Sequence, residues 1–480
     1  MGLSPSPRWF SDRLLVVALL LGWATACPAA DPQAADSLKA PPSGIVRRRL
    51  AGDDWPCFLG PSGNNQSTER GLNPQWPEAG PKIVWQVSLG TGYSSPVTSE
   101  GRLFQFDRLG GRERLRAFES ETGKPLWQFD YPSEYEDMFG YDNGPRASPV
   151  VDDRRVYTFG AEGMLHCVDA RTGKSIWKVD TTAEFGVVKN FFGVGSTPVV
   201  FGDLLLVQVG GSGAEAAAAG GSLEKAQPNG TAIVAFDKRT GKVKYKLGDE
   251  LASYSSPTLT KVGDRQWCFL FARGGLLGFD PRQGTLDFHF PWRASILESV
   301  NASNPVVVGD QVFISETYGP GSALLRFRPG GYDVVWSDAD RRRGKSMQAH
   351  WSTAIHREGY LYGSSGRHDT NAELRCVELA SGKVVWSRPD LTRTTLLYVD
   401  GYFVCLGERG ALRLVKVTPD KYEEAAQATL VDKDGAFGPA PLLKYPAWAP
   451  PVLSHGLLYV RGAGRLVCID LIPPDDTPSR

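Results

Sequence analysis

The sequence predicts an all-β protein, an eight-bladed β-propeller of four-stranded antiparallel blades closed by its N-terminal strand. Three observations lead there. A strand–turn–strand unit recurs along the chain, most completely at residues 165–177. A second signature, a small polar residue before Pro, recurs between copies of the first. The first and last copies are each incomplete, and the deficits are complementary. A repeat of about 40–50 residues built from several short strands is the mark of a propeller.

In the fullest copy, Leu165, Cys167 and Val168 are apolar strand residues, Asp169 to Lys174 supply turn chemistry, and Ile176 and Trp177 restart a strand. Gly173 suits the turn because it reaches positive φ without a Cβ penalty. The unit returns as Leu115 to Glu119 with Thr122-Gly123-Lys124 and Trp127, as Ile233 to Asp237 with Thr240-Gly241-Lys242 and Tyr245, and as Leu374 to Glu378 with Ser381-Gly382-Lys383 and Trp386. Weaker copies begin at Leu277, Leu325, Leu412 and Leu466. Blade 5 carries Arg326 and Arg328, and blade 7 carries Lys416, where the other copies hold small and acidic residues.

Each blade begins at the second signature: Ser95-Pro96, Ser148-Pro149, Thr197-Pro198, Ser256-Pro257, Asn304-Pro305 and Pro450-Pro451, with Thr353-Ala354 and Thr395-Leu396 as degenerate forms. Proline is tolerated at the first residue of a strand, where its missing N–H costs nothing. Counting both signatures gives eight blades. Residues 82–87 form a strand with the docking Trp85 but no hairpin before it, and Leu466 to Asp470 form a hairpin strand with nothing after it. The first should complete the blade of the second and remove the open edge. In blade 3, an Ala- and Gly-rich insertion at 211–230 reads as a mobile surface loop.

Ahead of the propeller, residues 1–26 read as an export signal. Arg8 and Arg13 precede an apolar run at 14–22 that is shorter than the roughly 20 residues needed to cross a bilayer. Ala24-Thr25-Ala26 is a small-residue cleavage site, which makes Cys27 a candidate lipid anchor. Residues 27–52 read as a disordered linker, 53–80 as an ordered coil that packs Trp55 and Phe58 onto the propeller, 81–471 as the propeller and 472–480 as a tail.

Lys plus Arg and Asp plus Glu number 53 each, which leaves no electrostatic case for nucleic acid as a partner. Cys167, Cys376 and Cys468 occupy the slot that holds Ala117, Ala235 and Gly278, so they read as buried fillers in separate blades, with no disulfide framework and no metal site. Thr172-Gly173-Lys174-Ser175 imitates the end of a phosphate-binding loop. Val168 stands where that loop needs Gly, and Lys174 opens a strand rather than a helix.

The loops entering the inner strands, and the turns between second and third strands, line one mouth of a propeller. The first set contributes Arg146, Phe191, Phe192, Asn301, His350, Trp351 and Trp448. The second contributes Glu162, Glu316, Arg367, His368 and Glu408. A ring of Arg, His, Glu and Trp suits an anionic ligand with a planar group stacked on Trp; the plainer reading is wedged aromatics and a solvated rim. Glu316 with Asn301 is the nearest approach to a Ca²⁺ pair, and two ligands are too few for a site. Arg341-Arg342-Arg343 with Lys345 reads as a solvated loop.

The repeat of a small residue, an acid, Thr-Gly-Lys and Trp resembles the PQQ-type propeller repeat over residues 81–471. That family includes quinoprotein alcohol dehydrogenases, which hold pyrroloquinoline quinone (PQQ) and Ca²⁺ in the central channel. It also includes the BamB-like propeller lipoprotein of the bacterial barrel-assembly machinery, which binds no cofactor and works through protein contacts. The opening Asp54-Trp55-Pro56-Cys57-Phe58-Leu59-Gly60-Pro61 resembles a further exported branch. The dehydrogenases carry a vicinal disulfide and an Asp base beside the Ca²⁺ ligands; this sequence has no adjacent cysteines and no position matching that Asp. The resemblance therefore implies a monomeric, non-catalytic binding or scaffold protein in the periplasm or at the outer membrane, with an envelope protein as partner and no cofactor. A PQQ- and calcium-dependent oxidoreductase is the first alternative, and a glycan-binding module the second.

Overall fold

A computed structural model describes residues 49–213, 223–432 and 440–474. The export signal, Cys27, most of the linker, the centre of the blade 3 insertion and the end of the tail lie outside the described residues.

Eight four-stranded antiparallel sheets form the propeller. Blade 1 runs through Val97–Ser99, Arg102–Leu109, Arg112–Glu119 and Pro125–Pro132, from the channel outward. Blades 2 to 7 repeat this order. Blade 8 takes its inner three strands from Val452–Ser454, Leu457–Gly462 and Arg465–Asp470 and its outer strand from Ile83–Ser88. Ser88 there faces Arg465 and Trp85 faces Cys468 in antiparallel register, so the N-terminal strand closes the ring.

The small-residue slot has a geometric cause. Ala117 pairs across the sheet with Trp127, Cys167 with Trp177, Ala235 with Tyr245, Gly278 with Phe288 and Cys376 with Trp386. In these five blades a large aromatic on the outer strand faces Ala, Cys or Gly, whereas in blade 5 Trp336 faces Leu324. Blade 7 inverts the sizes, with Leu414 facing Ala426. The six described cysteines are free thiols, and five of them are fully buried in such strands.

The repeated turn also docks neighbouring blades. The Trp127 indole lies against Gly173 of blade 2 and its Nε1 donates to Ala170 O at 3.1 Å. Trp177 does the same to Gly241 and Lys238 O, and Trp336 to Gly382 and Leu379 O. Within each turn the acid organises the backbone: Asp169 Oδ1 accepts from the amides of Arg171 and Thr172, and Asp237 Oδ1 from those of Arg239 and Thr240. Lys174 begins the outer strand, as turn chemistry requires.

Around the channel, the residue before each Pro links one blade to the next. Ser95 N–H donates to Ser148 Oγ, Ser148 N–H to Thr197 Oγ1, and Thr197 N–H to Ser256 Oγ. Ser256 N–H then donates to Asn304 Oδ1 and Asn304 N–H to Thr353 Oγ1, all at 2.9–3.1 Å. The chain of links lapses at blades 7 and 8, where Thr395 Oγ1 donates to Leu406 O within its own blade and Pro450 has no side-chain hydroxyl.

The N-terminal coil spans that lapse. Its Trp55 exchanges bonds with Thr98 of blade 1, and Pro56 O accepts from Val151 N–H of blade 2. After a turn, Asn65 O accepts from Tyr398 N–H and its side-chain amide donates to Leu396 O, both in blade 7. These contacts lie along the inner strands toward their far ends, so the coil covers one mouth of the channel. Arg49, which the sequence places in the linker, already anchors to Asp470 at 2.7 Å and to Ile472 O at 2.9 Å.

Candidate functional site

The channel forms a cup of about 540 Å³ whose floor includes Phe58 and Leu59 of the coil and whose wall comes from the loops entering the inner strands. Its lining is dominated by rings. Trp448 touches Tyr93 and Trp351 with centroids 4.7 and 4.8 Å apart. Across the cup, Phe192 lies 5.6 Å from Tyr254, whose hydroxyl accepts from Phe192 N–H at 2.7 Å. Phe139, Tyr141 and Tyr445 stand exposed at the open rim.

Charged groups in the wall are mostly committed to each other. Arg146 is held by Asp137 at 2.5 Å and by Asp142 O at 2.7 Å, beneath the faces of Tyr93 and Tyr135. Arg393 chelates the fully buried Glu408, with Nη2 at 2.6 Å, and lies over Trp351. Glu408 also accepts from Trp448 Nε1 at 3.0 Å. A buried carboxylate matched to a guanidinium and an indole N–H is satisfied on several sides, so this unit is a pillar of the wall.

His350 bridges that pillar to Tyr318. Arg393 Nη1 stands 3.1 Å from Nδ1, and Tyr318 Oη 3.0 Å from Nε2. A guanidinium only donates, so Nδ1 must carry the lone pair and Nε2 the proton. Tyr318 oxygen therefore accepts, which leaves its own proton to be donated elsewhere. Burial, and after it Arg393 and Arg367, push the His350 pKa down to about 3, which keeps the ring neutral.

Of the residues singled out in the sequence, Arg146, His350, Trp351, Arg367 and His368 come together in the cup wall, with Phe191, Phe192 and Trp448. Glu408 stands directly behind them. Glu162 does not join: it accepts from Glu134 N–H at 3.0 Å and pairs with Lys189 at 3.2 Å. Glu316 is buried and turned into its own loop, accepting from the amides of Tyr318, Gly319 and Gly321 at 2.7–3.0 Å. Asn301 is buried too, its amide donating to Ala272 O at 2.8 Å. Glu316 thus spends its oxygens on three backbone amides, whereas the Asn301 side chain bonds only through its amide nitrogen and keeps a buried Oδ1 without a partner. Among the described residues no group of three or more His, Cys, Asp or Glu is placed to hold a metal ion. The buried cysteines sit in separate strands, away from the cup lining. Between Glu316 and Asn301, a Ca²⁺ ion, which takes about six to eight oxygen ligands, would find only one unpartnered amide oxygen.

Sequence reasoning missed Arg393, Tyr318, Tyr93 and Tyr254. Arg393 and Tyr93 lie just ahead of blade entrances, at Thr394-Thr395 and Ser94-Ser95, so the signature that locates blades also locates them.

Repeat, closure and channel define a PQQ-type propeller. The family model described as outer membrane protein assembly factor BamB matches residues 111–388, more than half of the chain, and the chain belongs to that family. The crystal structure of BamB from Moraxella catarrhalis superposes with a TM-score of 0.56 at 13% identity, covering 81% of this chain and 99% of that one. Quinohemoprotein alcohol dehydrogenase from Comamonas testosteroni superposes with a TM-score of 0.58 at 12% identity, covering 91% of this chain and 83% of that one. At such identities the likeness is one of fold. In sequence, the dehydrogenase subunit of the quinone alcohol dehydrogenase of Komagataeibacter europaeus is 26% identical over 174 residues, 35% of this chain. The matched stretch spans 21% of that relative's length.

Proposed function

We propose that this chain is an exported, non-catalytic binding protein of the bacterial cell envelope and that the cup is where it binds. The observation that carries this reading is the commitment of the cup's ionisable groups. Glu408 is matched to Arg393 and Trp448, Asp369 pairs with Arg409, and His350 is held neutral between Arg393 and Tyr318. Glu298 is the lining acid that faces solvent. Dehydrogenation needs a positioned proton acceptor, and the buried groups here are built as supports. Rigid aromatic walls and a closed floor suit capture instead. Family membership supports a role through contacts, and the basic, apolar and small-residue run of residues 1–26 supports export.

The test uses purified protein with PQQ and Ca²⁺. The expected result is no dye-linked alcohol oxidation. Saturable quinone binding accompanied by turnover would remove the binding-protein reading. Cell fractionation of the native host checks location, and a Cys27→Ser variant that stays membrane-associated would discard the lipid anchor.

A further inference from the structure

Three guanidiniums line the cup, and they are not equivalent. Arg146 and Arg393 are each locked to a buried carboxylate. Arg367 is half-buried, and among the described residues its guanidinium makes no ion pair and no hydrogen bond; it rests on the face of Tyr318, 4.6 Å from the ring centroid. Beside it stands the Tyr318 hydroxyl, whose oxygen is taken by His350 and whose proton is left to donate. An uncommitted cation and a directed O–H donor therefore share one patch of an otherwise aromatic wall.

We propose that the cup binds a small aromatic monocarboxylate, its ring between the Trp351–Trp448 pair and the opposing Phe191–Phe192 wall, and its carboxylate on Arg367 and the Tyr318 hydroxyl. This deepens the binding-protein reading and rests on it. The chemistry follows from what the site lacks as much as from what it offers. A carboxylate takes a two-point contact from guanidinium, and one free guanidinium matches one such group. An acid with several carboxylates would leave the others against apolar rings, where an unpaired charge is costly. A sugar would need many hydrogen-bond partners at the cup's surface, and the wall presents few: Thr353 Oγ1 accepts from Asn304 N–H, Thr395 Oγ1 donates to Leu406 O, and Tyr93 Oη, Trp351 Nε1 and Ser352 Oγ, though without partners, are themselves buried. The volume of about 540 Å³ lies in the range that encloses a ligand of one or two rings.

The experiment is a calorimetric and tryptophan-fluorescence titration of the full chain with indole-3-acetate, its neutral isostere indole-3-acetamide, acetate, PQQ without metal, and cello- and chito-oligosaccharides. Indole-3-acetate should bind saturably and at least about tenfold more tightly than the amide, the size expected of a charge-assisted contact. Acetate alone should not bind. Arg367→Gln should bring the acid down to the level of the amide without changing the amide, and Arg367→Lys should restore part of the difference; an unchanged thermal melt shows that the variants fold. Equal binding of acid and amide, indifference to Arg367→Gln, tighter binding of PQQ, or binding of oligosaccharide in place of aromatics would each overturn the proposal. None of these outcomes produces alcohol oxidation, so the binding-protein reading stands or falls separately on the dye-linked assay.

Discussion

Trp127 of blade 1 lies with its ring on Gly173 of blade 2, where a Cβ would stand only 2.6 Å from the indole. The glycine is therefore required twice, by its φ of 72° and by the ring above it. The same double requirement recurs where Trp85 meets Gly123 and Trp177 meets Gly241.

The two causes separate by substitution. Gly202 has φ of 57° and nothing within 4 Å of its Cβ position. Gly202→Ala should lose about 1 kcal/mol, the strain of a left-handed residue. Gly173→Ala should lose roughly 2 kcal/mol more, because it also overpacks the joint. Urea unfolding of both variants checks the difference; equal losses would mean that the tryptophan yields without cost.

Glu408 neutralises Arg393 inside the wall, and Glu408→Gln leaves that cation buried without its counter-charge. The expected loss is about 3 kcal/mol. Trp448, whose Nε1 donates to Glu408, should shift its emission in the same variant. A stability unchanged within error would show that the pillar is not electrostatic.

His166 is buried between Phe129 and Tyr131, and burial pushes its pKa down to about 4. Between pH 4 and 6.5 the unfolded chain binds a proton there and the folded chain does not. Stability from this residue is complete above about pH 6.5 and lost as pH falls, at about 1.4 kcal/mol per unit. His350 acts in the same direction. Buried Glu113 and Glu316, with raised pKa values, act oppositely, since the folded state holds their protons more tightly. A His166→Phe variant should flatten the slope of stability against pH between 4.5 and 6; an unaltered slope would refute the assignment.

Ser148 supplies the hydroxyl that caps Ser95 N–H and passes its own amide to Thr197. Ser148→Ala should cost about 1–2 kcal/mol by leaving a buried amide unmatched. Asn65→Ala should cost a similar amount at the other side of the ring, through Leu396 O. Denaturation midpoints test both.

The fold was legible because it repeats. Most blades restate the same slot, so the sequence marks Cys167 and Cys468 as buried fillers in place of Ala or Gly, and the pairing of that slot with a large ring is seen only in the structure. The cup was legible only in part. Arg146, His350 and Arg367 stand out as residues that break the repeat, but whether a side chain faces the channel or its own loop depends on local turns. Glu316 and Arg367 occupy matching turns between second and third strands, yet three backbone amides draw Glu316 inward while Arg367 keeps to the wall. Arg393 escaped notice because blade 7 has the most degenerate entrance.

The closure has a consequence for the order in which the protein comes into being. Gln86 accepts from Arg465 across 379 residues, so the outer strand of blade 8 is made long before the strand it pairs with. Bringing such distant segments together costs on the order of 5 kcal/mol in chain entropy, and until then blade 8 lacks its outer strand. The coil that floors the cup belongs to the same early stretch and touches blades 1, 2 and 7. A chain still being made can own blades but not a cup.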